Sequence, residues 1–397
     1  MHITQIKVNG FKSLVDFEMD LGKFTCLIGL NGSGKSTVLQ FIDFLSQLVR
    51  GNMGEWLEER NWNEQDIKSK LTPLKKTFDF VITLQDDNPS LSFQWRARYN
   101  IFERKCTSET FSMFIIPETG MAHVENLLAV DGQILYLWHP ENPDVPAQER
   151  KIDFRYEGSV LSQIKIELLS KVFQLFVPFF YNLYSFDMLA PQSLRKRDRQ
   201  SGGSIGLSGQ RLSAFLHELG AKRRQELSQQ LKRVYPHLDG VTTRSLKSGW
   251  KEMVVSEDYG DRTMLTEARH VNDGMLRLIA ILAELESEHE FLLFDEIENG
   301  INPELVEFLI DILTKTQKQI MVTTHSPMIL NYIDDNMARE SVIYLYKTEE
   351  GKTRSIKFFD IPSLKEKLEV MGPGEAFVDT NLMELADEIH SLSVETA

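Results

Sequence analysis

The sequence predicts an α/β protein: a mixed central sheet flanked by helices, with an antiparallel β subdomain and a helical insertion lobe. Three observations carry that expectation. Two continuous apolar runs, Phe24-Thr25-Cys26-Leu27-Ile28 and Phe291-Leu292-Leu293-Phe294, have the form of strands buried on both faces, and each leads straight into polar or glycine-rich residues. Segments behind such runs, beginning with Val38-Leu39-Gln40-Phe41-Ile42-Asp43-Phe44-Leu45, place apolar residues at helical spacing. From Phe78 to about Tyr156 the period changes to two, and turn clusters separate the alternating pieces.

Residues 1–50 are expected to form the N-terminal part of the core. Ile3, Ile6 and Val8, then Phe17, Met19 and Leu21, alternate on either side of Asn9-Gly10-Phe11-Lys12-Ser13. This predicts a small antiparallel hairpin leading into the Phe24 strand. The strand gives way to Gly29-Leu30-Asn31-Gly32-Ser33-Gly34-Lys35-Ser36-Thr37, and then to a helix. Strand, glycine loop and helix together read as a phosphate-binding loop. The glycines let successive N–H groups turn toward one anion, and the helix start adds its positive dipole end. Lys35 supplies a point charge for the β- and γ-phosphates, and the Ser36 hydroxyl is placed to ligate magnesium.

Residues 51–160 read as an antiparallel β region with a variable insertion. The stretch 52–76 is polar and punctuated by Trp56 and Trp62. Beyond it Phe78-x-Phe80-x-Ile82-x-Leu84, Leu91-x-Phe93-x-Trp95 and Ile134-x-Tyr136-x-Trp138 alternate. Asp86-Asp87-Asn88-Pro89 and Glu141-Asn142-Pro143-Asp144 mark turns between such strands. Aromatic residues at period two are read as cross-strand core rather than a base-stacking platform.

Residues 161–265 are expected to form a helical, basic lobe. An aromatic stretch from Phe173 to Phe186 reads as core, and Leu212, Phe215, Leu216 and Leu219 recur at helical spacing. Between Pro191 and Lys251 thirteen lysines and arginines face four acidic residues, in a protein whose formal net charge is −14. Such a tract could neutralise nucleic-acid phosphates, or it could be a solvated face or a dock for an acidic partner. The residues leave these open.

Residues 266–345 hold the C-terminal part of the core. Val271-Asn272-Asp273-Gly274 opens a segment with Met275, Leu278, Ile279, Leu282 and Leu285 at helical spacing, and Asn272 is positioned to cap it. The run Phe291 to Phe294 ends in Asp295-Glu296. Asp295 is expected to hold magnesium, directly or through water, and Glu296 to polarise an attacking water. A second run, Ile320-Met321-Val322-Thr323-Thr324, ends in His325-Ser326-Pro327, where His325 can reach the γ-phosphate and that water. Between the two, Asn299-Gly300-Ile301-Asn302-Pro303-Glu304 predicts a loop, an N-cap and a proline at the first position of an amphipathic helix. Residues 346–397 form a C-terminal extension.

At 397 residues, 42% hydrophobic and 26% charged, the composition is that of an ordinary globular chain. Two cysteines, Cys26 and Cys106, argue against a disulfide framework or a zinc site and for a reducing cytoplasm. The opening residues lack the basic and apolar regions of a secretory signal. No apolar run is long enough to span a bilayer, since the stretch Phe173 to Phe186 is short and interrupted by Gln174, Pro178 and Asn182.

Taken together, Gly10-Phe11-Lys12-Ser13, the phosphate loop, Asn272-Asp273-Gly274-Met275-Leu276-Arg277, the run from Leu292 to Pro303 and Thr323-Thr324-His325-Ser326-Pro327 resemble ABC-type ATPases of the SMC, Rad50, RecF and OLD-like group. The ending Met371-Gly372-Pro373-Gly374-Glu375 looks like the close of the stand-alone members loosely called AAA family. The resemblance implies ATP and Mg²⁺ as ligands, with Lys12 and Ser13 approaching the nucleotide. It also implies that Asn272, Asp273 and Gly274 are the signature that covers the nucleotide of a second subunit in a head-to-tail homodimer, or within a higher homo-oligomer. Leu207-Ser208-Gly209-Gln210 also looks like an ABC signature but lies too far upstream of Asp295. No sustained heptads separate the loop from the signature, so a long coiled-coil arm is not expected. The tail is too short for the TOPRIM nuclease domain of full OLD enzymes, so a nuclease would come from a partner. The work implied is on DNA, in anti-phage defence with a separately encoded effector, or in RecF-like repair. A transporter ATPase, which should carry Leu-Ser-Gly-Gly-Gln, fits less well. The glutamine loop could be at Gln85 or Gln192.

Overall fold

The alternating apolar residues of the N-terminal half pair into a single sheet. The computed structural model describes residues 1–116, 123–139, 145–165, 167, 169–186, 189–385 and 388–389. Contacts divide the chain into two units, the first built from 1–183, 339–365 and the residues from 381 on, the second from 184–338 and 366–380.

The first unit opens with β1 (His2–Asn9) and β2 (Phe17–Asp20), the expected antiparallel hairpin, with Ile6 opposite Met19. β3 (Phe24–Ile28) is buried at all five positions and runs through the phosphate loop into α1 (Lys35–Arg50). The insertion folds into α2 (Met53–Glu59) and α3 (Glu64–Ile67). The strands β4 (Thr77–Gln85), β5 (Leu91–Asn100), β6 (Lys105–Ile115), β7 (His123–Asp131), β8 (Ile134–Leu137) and β9 (Gln148–Lys151) follow. They complete an eight-stranded antiparallel sheet in the order β2-β1-β4-β5-β6-β7-β8-β9. The expected turn at 141–144 lies outside the described residues. α4 (Lys171–Tyr181) lays Phe173, Phe176 and Phe180 on this sheet, where their rings meet Phe93, Trp95 and Phe111 at 5.0 to 6.1 Å. Phe11 is fully buried against Phe41, Phe44 and Phe78 and joins the hairpin turn to α1. The period-two aromatics Phe78, Phe80, Phe93 and Trp95 are therefore core, but Tyr136 and Trp138 are only half-buried, because β8 turns the alternate residues Leu135 and Leu137 inward.

The second unit begins as β10 (Leu183–Phe186) passes into it and continues through α5 (Pro191–Leu194), α6 (Leu212–Glu218) and α7 (Gly220–Lys232). Here the expectation of a helical lobe needs correction. β11 (Leu238–Ser245), β12 (Lys251–Asp258) and β13 (Thr263–Glu267) form a three-stranded antiparallel sheet, with α6 and α7 packed against it. Its inward residues, Val241, Met253 and Val255, are few and interspersed with Thr, Arg and Glu, so the period-two signal is faint. α8 (Asp273–Leu285) leads to β14 (Phe291–Phe294), α9 (Pro303–Lys315), β15 (Gln319–Thr323) and α10 (Pro327–Asn331). β14 and β15 are parallel, with Phe294 opposite Val322, and β10 lies on the other side of β14.

The chain then returns to the first unit. β16 (Val342–Lys347) pairs parallel with β3, and β17 (Thr353–Lys357), inside the segment expected as an extension, pairs antiparallel with β16. This portion of sheet is therefore mixed, as expected. Both cysteines are buried. No helix of the described residues is long and apolar enough to cross a membrane.

Candidate functional site

The phosphate loop belongs to the first unit. Gly29, Gly32 and Gly34 all adopt positive φ, at 144°, 79° and 114°. At Gly29 the need is absolute, because a Cβ would stand 2.3 Å from the Leu345 carbonyl oxygen of β16. Lys35 opens α1 and is buried, its Nζ donating to the carbonyls of Gly29 at 2.8 Å and Leu30 at 3.2 Å. Asn31, Gly32 and Ser36 are exposed, and Thr37 is half-buried. Ser33 is buried, and its Oγ has no hydrogen-bond partner. An orphaned hydroxyl inside a glycine cradle is what a phosphate oxygen would satisfy.

A second ring of contacts fastens the loop. Thr353 of β17 donates from Oγ1 to the Ser33 carbonyl at 3.0 Å, and that hydroxyl lies 2.8 Å from Ser13 Oγ. Lys12, held at φ 47°, donates to Gln40 Oε1 at 2.8 Å and lies over the Trp62 ring, 3.5 Å from its centroid. Ser13 and Thr353 thus meet the loop at Ser33, while Lys12 meets the helix behind it at Gln40. Gln85 donates from Nε2 to the carbonyls of Asp86, Asn88 and Leu91, so its amide serves the β4–β5 turn.

The carboxylate turn belongs to the second unit. Asp295 and Glu296 leave the end of β14, and Glu296 sits at φ 49°, a left-handed conformation that a non-glycine residue holds at a cost of about 1 to 3 kcal/mol. Thr323, fully buried at the end of β15, fixes both: its Oγ1 donates to Asp295 Oδ1 at 2.5 Å and accepts the Glu296 N–H at 2.9 Å. Asn299 donates to Glu296 Oε2 at 3.3 Å. His325 is exposed, and its backbone N–H donates to Glu298 Oε1 at 3.0 Å, tying the histidine loop to the carboxylate turn.

The proposed signature meets this turn from α8. Asn272 caps the helix as expected, accepting the Met275 N–H at 2.9 Å. Exposed Asp273 pairs with Arg195 at 2.5 Å, and Gly274 packs so close that a Cβ would lie 3.2 Å from the Gly300 carbonyl. One turn on, the buried Arg277 donates from Nη1 to the Asn299 carbonyl. Burial pushes its pKa down, against the carboxylates of Asp273 and Glu296. Asn302 precedes Pro303 and α9 as expected, although its side chain makes no capping bond.

The basic tract is largely answered within its own unit. Arg197 and Arg244 converge on the buried Glu252, Arg223 pairs with Glu288, and Arg224 donates to the carbonyls of Leu216 and His217. Among the described residues no three His, Cys, Asp or Glu side chains form a metal cluster. The Ser36 hydroxyl in the first unit and the Asp295 carboxylate in the second are each hard oxygen donors of the kind that magnesium takes.

Thr353, Thr323, Glu298 and Arg277 were not anticipated as site residues. Arg277, Glu298 and Thr323 lie inside the motif stretches and Thr353 outside them, but the role of each arises from a contact with a residue distant in the chain.

Two family models match the chain. An "AAA ATPase domain" model covers residues 1–187, and one described as "AAA domain, putative AbiEii toxin, Type IV TA system" covers residues 175–331. Among solved structures, an SMC head bound to the C-terminal winged-helix domain of ScpA is similar at a TM-score of 0.54 and 15% identity, over 90% of this chain and 98% of that one. An SMC head with an extended coiled coil, bound to the C-terminal domain of ScpA from Pyrococcus furiosus, gives 0.53 and 14%, over 93% and 99%. No curated protein matches. Both matching models describe ATPase domains, and the fold of the chain is that of an SMC head, an α/β fold with a mixed sheet and flanking helices.

Proposed function

We propose that the chain binds and hydrolyses ATP with magnesium, and that two copies close head to tail over two nucleotides. Lys35 and the loop amides hold the β- and γ-phosphates. Ser36 and Asp295 hold magnesium, which neutralises phosphate charge, and Glu296 takes a proton from the attacking water while His325 orients it. Asn272, Asp273 and Gly274 of each copy cover the other copy's γ-phosphate. The observation that carries this reading is the Thr323 hydroxyl binding both Asp295 and the Glu296 amide, which presets two carboxylates at one strand end.

The same reading makes the protein the sensor or regulatory subunit of a bacterial anti-phage system, acting on DNA with a separately encoded effector such as a nuclease. The toxin-system description of the matching C-terminal model supports this, as does the partner domain seated on the similar SMC heads. RecF-like repair is the second reading, and it rests on the basic tract 191–251.

ATP binding, steady-state turnover and oligomeric mass, measured with and without DNA, test the proposal. Lys35→Ala should abolish binding. Glu296→Gln should keep binding, lose turnover and trap a dimer. Equal turnover by wild type and Glu296→Gln would remove Glu296 as the base.

A further inference from the structure

The polar insertion carrying Trp56 and Trp62 is bound tightly to the phosphate-loop helix. Trp56 is buried, and its indole N–H donates to Asp43 Oδ2 of α1 at 2.6 Å; Arg60 reaches the same oxygen at 2.7 Å. Trp62, half-buried, stands edge to face on Trp56 with ring centroids 5.5 Å apart. One face of the Trp62 indole is covered by the Lys12 ammonium, which also donates to Gln40.

The place of this shelf is informative. Gln40 follows Thr37 by three residues and Ser36 by four, so all three share one face of α1. Ser13, beside Lys12, is bonded to the Thr353 hydroxyl that fastens Ser33. The indole is therefore joined through Lys12 to Gln40, on the side of the helix that carries the Ser36 and Thr37 hydroxyls.

We propose that Trp62 is the base-side wall of the nucleotide site, stacking on the purine of a nucleoside triphosphate whose phosphates lie on the loop. This rests on the nucleotide reading above. Indoles stack on any base, because every base presents a π-face. The Lys12 ammonium makes a stronger contact with a phosphate oxygen than with a partly hydrated ring. Arrival of the phosphate chain thus draws the cation off the indole and uncovers the stacking surface, so that phosphate and base binding reinforce each other.

Calorimetric titration of the full chain with an imido-bridged ATP analogue and with inorganic tripolyphosphate separates the two parts. Trp62→Ala should weaken the analogue roughly tenfold and leave tripolyphosphate unchanged, while Trp62→Phe should retain most of the affinity. Analogue affinity unchanged in Trp62→Ala would overturn the assignment. So would an equal loss for both probes, which would make Trp62 packing for Lys12 only. Wild-type protein that binds tripolyphosphate as tightly as the analogue would sink this inference alone. Wild-type protein that binds neither would sink the nucleotide reading and this inference together.

Discussion

The phosphate loop and the carboxylate turn solve the same problem by opposite means. Each must hold backbone in a left-handed conformation so that polar groups face one point. The loop uses glycine at all three such positions and pays nothing in side-chain strain. The turn uses Glu296, whose side chain is required for the proposed chemistry, and holds it with Thr323 and Asn299. A site can relieve strain where backbone does the work and must brace it where a side chain does.

That contrast can be broken most severely at Gly29. Gly29→Ala puts a methyl against the Leu345 carbonyl, where only backbone movement could make room, and should cost about 4 kcal/mol or more in urea unfolding. If the cost is below about 1 kcal/mol, the loop is not held by β16.

The helix behind the loop has a titratable brace. Glu109 of β6 is fully buried and accepts from Ser159 Oγ at 2.6 Å and from Val160 N–H at 2.8 Å, and the Ser159 N–H donates to the Leu48 carbonyl of α1 at 2.8 Å. Burial pushes its pKa up from 4.5 to about 7, against those hydrogen bonds. The folded state then holds the proton more tightly, so its contribution is complete below about pH 4.5 and is lost as pH rises through about 7. The change is roughly 3 kcal/mol. Chemical denaturation across that window should show this slope in wild type and a flatter one in Glu109→Gln; identical slopes would refute it.

Thr323→Val sharpens the comparison from the other side. It removes the hydroxyl shared by Asp295 and the Glu296 amide at nearly constant volume, and should cost about 2 kcal/mol and slow turnover while nucleotide still binds. Unchanged turnover would show that the turn is braced elsewhere. The smallest effect has the opposite sign. Glu296→Gly should be about 1 kcal/mol more stable than Glu296→Ala, because only glycine relieves the left-handed strain. A melting comparison in which alanine equals glycine would mean that φ 49° carries no strain.

What the sequence made legible follows from the same contrast. Glycine spacing, the Asn272 cap, Pro303 at a helix start and the apolar strands are local, and local chemistry leaves a pattern. The sheet 238–267 was missed because its strands alternate charged and hydroxyl residues around few apolar ones. Thr323, Thr353 and Arg277 stayed silent because a threonine at a strand end or an arginine in an apolar helix gains its meaning only from partners far along the chain. Glu296 showed its chemistry but not its backbone.

The Thr353 contact also has a consequence in time. Its hydroxyl meets a carbonyl 320 residues earlier in the chain. At ordinary rates of translation, tens of seconds separate the emergence of Ser33 from that of the strand that pins it. A nascent chain therefore exposes its glycine motif long before the motif is fastened. Chains released before Thr353 should fail to retain nucleotide even with every motif from Gly29 to His325 already made.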